Sequence, residues 1–216
     1  MAENIFLFVP NLIGYARVIF ALIAFYLMPT DPTPAIFCYL LSGLLDAFDG
    51  HAARALNQST KFGAVLDMVT DRCATAMLCV TLAVLYPAYA FFFQFMIGLD
   101  IGSHWIHMYS SLTNNKSHKV IDPKKNWFLR LYYTSRTVLF LMCAGNELFF
   151  GSLYILYFFE GPIVPGVAIG VWRLILYICA PVSFVKNVIS IIQMLEACHD
   201  LAEIDVKARQ DARKAK

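Results

Sequence analysis

Four aspartates, Asp46, Asp49, Asp67 and Asp71, lie inside stretches that are otherwise apolar. The first pair sits in Leu45-Asp46-Ala47-Phe48-Asp49-Gly50-His51-Ala52-Ala53-Arg54 and the second in Gly63-Ala64-Val65-Leu66-Asp67-Met68-Val69-Thr70-Asp71. An ionised Asp at the centre of a membrane-spanning helix costs about 2.5–3.5 kcal/mol even on lenient insertion scales. Four of them demand a cation. Residues three or four apart share a helix face, so Asp46 projects with Asp49 and Asp67 with Asp71. Two such helices facing each other form an all-oxygen cage suited to a hard divalent ion such as Mg²⁺ or Mn²⁺. Gly50, one turn after Asp46, and Gly63, one turn before Asp67, lie on the same faces. The absence of a side chain there admits a ligand or a neighbouring backbone. Arg54, two turns beyond Asp46, adds a planar cation matched to phosphate oxygens. Together these residues describe a site for a diphosphate. The competing reading is a set of interhelical salt bridges in a transporter core. It is disfavoured because Arg54 and His51 cannot neutralise four acids.

The elements that position these groups are apolar helices. The chain has 216 residues, 59% of them hydrophobic and 15% charged, with a mean hydropathy of +0.62, which places it outside the soluble range. Its length suits one membrane domain. The net charge of +2 gives no electrostatic case for binding nucleic acid. The six cysteines, Cys38, Cys73, Cys79, Cys143, Cys179 and Cys198, show no metal-ligand spacing and read as small packing residues. Met1-Ala2-Glu3-Asn4 lacks the basic region of a secretory signal.

Six spans are predicted, at about 12–29, 34–56, 63–86, 89–112, 129–158 and 167–195. The expected fold is therefore an all-α integral membrane protein with six transmembrane helices. A catalytic domain covers residues 1–196, and a charged tail covers residues 197–216. The fifth span is too long for one crossing and is expected to protrude, tilt or break near Gly145 or Gly151. The turns at 30–34, 86–88 and 159–166 contain no Lys or Arg, whereas the opposite connections and the tail hold Arg54, Lys61, Lys116, Lys119, Lys124, Lys125, Arg130, Lys207, Arg209, Arg213, Lys214 and Lys216, with Arg173 near the far end of the sixth span as the exception. Both termini are thus expected in the cytosol. At about 1.5 Å rise per residue, all four carboxylates fall within roughly the first 15 Å below that surface.

From Asp46 to Asp71 the string Asp-x2-Asp-Gly-x2-Ala-Arg-x8-Gly-x3-Asp-x3-Asp resembles, at every fixed position, the signature of the CDP-alcohol phosphotransferase family. The stretches Pro10-Asn11-Leu12-Ile13-Gly14-Tyr15-Ala16-Arg17, Tyr132-Tyr133-Thr134-Ser135-Arg136 and Cys143-Ala144-Gly145-Asn146-Glu147-Leu148-Phe149 extend the resemblance along the chain. They are similar to the branch whose acceptor is myo-inositol. The resemblance implies transfer of a phosphatidyl group from CDP-diacylglycerol to myo-inositol, with release of CMP. It also implies two ions, Mn²⁺ or Mg²⁺. Asp46 and Asp67 would serve both ions, Asp49 one, and Asp71 the second ion and the role of catalytic base. Gly50 and Arg54 match nucleotide-binding positions, and Thr60 matches a CDP-lipid contact. A multi-pass protein of the endoplasmic reticulum membrane, a homodimer, and an active site facing the cytosol are implied by the same analogy.

Other residues admit two readings. Thr60 is equally an N-cap for the third span, and Asn11 either caps the first helix or meets the cytidine. Asp100, His104 and His107 share one face of the fourth span and either pack together or touch inositol. Arg136 contacts inositol or the lipid phosphate, or else pairs with an acid such as Glu147. Lys186 on the sixth span is a further candidate partner. A different acceptor alcohol would keep the motif unchanged. A divalent-cation transporter would bring inverted repeats, which the sequence lacks. The topology is testable in sealed microsomes, where added protease should clip the tail after Glu196. A tail protected until detergent is added would put the termini and the motif on the other side.

Overall fold

The computed structural model describes residues 4–113, 135–166 and 168–215. The described residues are helical, with one isolated antiparallel bridge between Ile163 and Gly170. Six long helices occur among them: α1 (Val9–Leu27), α2 (Pro32–Ala55), α3 (Lys61–Leu85), α4 (Ala90–Thr113), α5 (Arg136–Phe158) and α6 (Val171–Lys214). By length and composition, α1, α3, α5 and α6 are candidate membrane spans. The motif aspartates dilute α2, and Asp100, His104 and His107 dilute α4. Large apolar side chains such as Tyr26, Phe37, Leu44, Val84 and Phe91 are exposed, the outward face expected of helices solvated by lipid.

The chain divides into two compact units, one comprising Met1–Gln94 with Leu153–Glu160 and the other Phe95–Ser152 with Gly161–Lys216. In the first unit, α1 packs on both α2 and α3. Small residues are prominent among its buried positions, including Ala21, Ala24, Ala35 and Ala76, the side chains that let helices approach where lipid removes a hydrophobic drive. A Cβ on Gly14 would come within 2.9 Å of Leu66 Cδ2, so α1 and α3 meet closely there. Away from the motif, Tyr154 donates to the Met28 carbonyl at 2.8 Å and Tyr86 to that of Leu153 at 3.0 Å.

The connection from α2 to α3 is five residues long and fastened at each step. Gln58 N–H reaches the Ala53 carbonyl at 2.9 Å and Asn57 N–H that of Arg54 at 3.4 Å. This 6→1 and 5→2 pair is a Schellman closure. Asn57 sits at φ 55°, the left-handed position that asparagine tolerates. Thr60 then caps α3, accepting from Gly63 N–H at 2.9 Å. Gln58 Oε1 accepts from Val9 N–H at 3.0 Å, closing the loop onto the start of α1, where Phe8 offers no side-chain cap.

In the second unit, α4, α5 and α6 are joined by buried polar groups. Lys186 Nζ lies 2.9 Å from Asp100 Oδ1, and both side chains are buried. His104 Nδ1 lies 2.7 Å from the Asp100 carbonyl oxygen and 3.7 Å from Oδ1. Ser183 donates to Asn146 Oδ1 at 2.8 Å. The packed reading of Asp100 and His104 is the one the structure contains, with Lys186 as the main partner. Beside this seam, Ile189 is buried against Val138, Leu139 and Met142 of α5 and Val185 and Ile192 of α6.

Of the three alternatives for the fifth span, the break is removed. The helix α5 runs unbroken through Gly145 and Gly151. A Cβ on Gly145 would fall 2.5 Å from Val182 Cγ1, so this glycine serves close packing against α6 rather than a kink. The helix that carries the sixth span, α6, continues through Pro181 and the charged tail to Lys214, 44 residues in all. The basic residues Lys116, Lys119, Lys124, Lys125 and Arg130 lie outside the described residues.

The Asp100–Lys186 pair yields a prediction. Lys186→Met removes the main counter-charge of a buried carboxylate and should destabilise the protein by about 3–5 kcal/mol, whereas the double change Asp100→Leu with Lys186→Met should recover most of that loss. Melting temperatures in detergent measure both. A double variant no more stable than the single one would show that the pair does not act as a unit.

Candidate metal centre

The four aspartates converge. Asp46 and Asp49 stand in the C-terminal half of α2, and Asp67 and Asp71 in the N-terminal half of α3. Single carboxylate oxygens of Asp46, Asp49 and Asp67 lie within 4.8 Å of one another. At the centre is a residue to which the sequence motif assigns no role. Arg17 of α1 is 2% exposed, and its guanidinium touches all four acids. Nη1 lies 2.7 Å from Asp49 Oδ2 and 2.7 Å from Asp67 Oδ1. Nη2 lies 2.6 Å from Asp46 Oδ1 and 2.5 Å from Asp71 Oδ1. Arg72 Nη2 approaches the other oxygen of Asp71 at 3.6 Å.

The interhelical salt bridges disfavoured on sequence grounds are therefore present, made by an arginine on a third helix. The signal was available, because an arginine in the middle of an apolar span needs a buried partner. Even with Arg72 beside Asp71, two guanidinium groups for four carboxylates leave the cluster negative. Burial is also asymmetric: the Arg17 side chain is 3% exposed, while those of Asp46, Asp67 and Asp71 are 44%, 47% and 34% exposed. Those three carboxylates can thus be reached from outside, whereas Asp49 and the arginine are buried. An all-carboxylate donor set with atoms this close fits a divalent ion that prefers oxygen.

Two hydroxyls beside the site are satisfied within their own helix, Thr70 on the Leu66 carbonyl at 2.8 Å and Thr75 on that of Asp71 at 3.1 Å. Ser42 donates to the Arg17 carbonyl at 2.9 Å, pinning α1 to α2 at the level of the cage. Gly50 lies under the Arg54 guanidinium, where a Cβ would meet Nη1 at 3.5 Å, and Arg54 itself is exposed in the last turn of α2. His51 is exposed.

The clearance at Gly63 is used by Asn11, whose Oδ1 would lie 2.8 Å from a Cβ there. Asn11 is buried and is not the cap of α1. It sits inside that helix and donates through Nδ2 to the Ile5 carbonyl at 2.6 Å. Thr60 is the N-cap of α3 in this structure. The side chain of Arg136 lies outside the described residues.

Residues 7–172 match the family model described as CDP-alcohol phosphatidyltransferase. Proteins named CDP-diacylglycerol--inositol 3-phosphatidyltransferase are similar along nearly the whole chain. The one from Homo sapiens is 56% identical over 208 residues, covering 96% of this chain and 97% of its own. That from Drosophila melanogaster is 47% identical over 212 residues, with 98% and 92% covered. That from Saccharomyces cerevisiae is 44% identical over 214 residues, with 99% and 94% covered. No solved structure matches significantly. With the family model covering well over half of the chain, and the motif aspartates and their helices inside it, this protein belongs to the CDP-alcohol phosphatidyltransferase family.

Proposed function

We propose that this protein transfers the phosphatidyl group of CDP-diacylglycerol to myo-inositol, giving phosphatidylinositol and CMP. The observation that carries the reading is the near full-length identity to relatives that all bear that enzyme's name. The carboxylate cage of α2 and α3 supports it, since such chemistry needs charge control at a diphosphate. The motif residues would meet the shared CDP-lipid moiety, so the choice of inositol rests on the chain-wide similarity.

Asp46, Asp49, Asp67 and Asp71 would hold two ions, Mn²⁺ or Mg²⁺. Bound there, the ions would withdraw charge from the phosphorus under attack and from the departing oxygen. Arg54 and the cleared backbone at Gly50 would receive the nucleotide phosphates, with Thr60 and Arg136 as further substrate contacts. An inositol hydroxyl oxygen forms the new bond to the phosphorus that carries diacylglycerol, and the bond to the CMP oxygen breaks. Asp71 takes the hydroxyl proton. A carboxylate is a weak base toward an alcohol, so the proton leaves late, as the new bond forms.

The chain would cross the membrane of the endoplasmic reticulum six times as one catalytic domain, residues 1–196. Both termini, the tail of residues 197–216 and the site would be cytosolic, where a soluble alcohol reaches it. By family analogy the protein works as a homodimer.

The direct experiment supplies purified protein with CDP-diacylglycerol, Mn²⁺ or Mg²⁺ and one alcohol at a time, and follows CMP. Release should require inositol and should not occur with serine, glycerol phosphate, choline or ethanolamine. Chelation should abolish it, and Ca²⁺, larger and looser in geometry, should restore little. Full turnover after exhaustive chelation contradicts the mechanism.

Two substitutions separate the aspartates. Asp67→Ala should lose metal binding and CDP-lipid binding together. Asp71→Asn keeps one oxygen ligand but cannot accept the proton, so it should bind Mn²⁺ and CDP-diacylglycerol while turnover falls by roughly 10²–10⁴. Near wild-type turnover in that variant would place the base elsewhere.

A further inference from the structure

Arg17 stands where the cage needs positive charge, and its contacts are unusual in number. A guanidinium ordinarily forks onto one carboxylate. Here its two terminal nitrogens are divided among four acids, one oxygen from each. Nε is buried with no hydrogen-bond partner, so the group is held at its tip alone. Position on α1 is secured without the guanidinium. Ser42 grips the Arg17 carbonyl at 2.9 Å, Gly14 admits Leu66 of α3, and Gln58 holds Val9 N–H at 3.0 Å. The placement of α1 therefore does not depend on the guanidinium contacts alone.

Charge balance sets guanidinium and metal against each other. Two divalent ions alone would neutralise four carboxylates, leaving no net attraction to hold a guanidinium among them. A buried arginine and a pair of divalent cations sharing the same few oxygens would instead repel each other strongly.

We propose that the Arg17 guanidinium competes with divalent ions for the four carboxylates, so that metal loading is an exchange in which the ions displace it. This rests on the metal reading of the cage and goes beyond it, assigning to an α1 residue control over metal affinity and over stability before loading. Arg17 acts through the aspartates and is a positioning residue. In its absence the metal-free carboxylates would repel one another and push α2 and α3 apart, and with it they are held ready at the spacing the ions need.

The test uses the full chain in detergent, with Mn²⁺ alone as probe and no substrate. Binding is followed by the loss of the free-ion resonance signal, and stability by thermal melting. Asp67→Ala serves as the control that locates binding at the cage. In Arg17→Met, Mn²⁺ affinity should tighten by about tenfold or more, the lower end of what a close desolvated charge pair is worth. The metal-free variant should melt below wild type, and Mn²⁺ should raise its melting temperature by more than it raises that of wild type. Arg17→Lys keeps the charge but cannot span four acids, so its affinity should fall between the two. If Arg17→Met does not fold, Arg17→Lys decides the matter alone. Affinity in that variant equal to or weaker than wild type overturns the exchange, as does unchanged or weakened binding in Arg17→Met. Wild-type binding that Asp67→Ala leaves intact overturns the metal reading itself and is distinguishable from the failure of the exchange.

Discussion

Like charge brought together in an apolar setting is the constraint on which the first unit of this protein depends. Four carboxylates on two helices repel one another and resist leaving water. Their gathering on α2 and α3 is possible because α1 delivers a guanidinium between them, with contacts of 2.5–2.7 Å to each. The position of α1 is in turn a matter of small residues. Gly14 and the buried alanines let it lie against both partners, and Ser42 fixes its height at the level of Arg17. Packing and electrostatics are not separable here, since a bulkier α1 would hold its arginine too far away.

The loop between α2 and α3 carries a second part of the geometry. Its Schellman closure, the left-handed Asn57 and the Thr60 cap set where α2 ends and α3 begins. They therefore set which turns of the two helices face each other. Gln58 and Asn11 extend the same bracing to the start of α1 and the turn before it. None of these polar contacts reacts with anything. Each removes a freedom that would let the carboxylates drift apart, which is how a site built on helices reaches useful precision.

What could be read from the residues depended on whether the signal was local. Asp46 with Asp49, and Asp67 with Asp71, follow from helical spacing alone, and the facing of the two pairs follows from the burden of burying them. The turns near 30–34 and 86–88 are marked locally by Pro29, Pro32, Pro34 and Pro87. Arg17 was visible as a letter in an apolar run, but its partners lie 29 to 54 positions away, and only tertiary packing shows that one guanidinium reaches all four acids. Gly63 was expected to clear space for a ligand or a neighbouring backbone and is approached by a side chain, and the break considered near Gly145 gives way to close packing. In both cases the neighbour, Asn11 or Val182, is set by another helix. The long continuation of α6 was hidden by the change from apolar to charged residues near position 196, which marks a change of surroundings and not of backbone. Pro181 did not stop that helix either.

The central claim is that this cage receives divalent ions between α2 and α3. Anomalous scattering from protein crystals grown in Mn²⁺ addresses it most directly. The account predicts peaks among Asp46, Asp49, Asp67 and Asp71, with the Arg17 guanidinium withdrawn from contact with at least some of them. Mn²⁺ bound only elsewhere, for instance at His199, Asp200 and Glu203 of α6, with Arg17 still bridging all four aspartates, would contradict it.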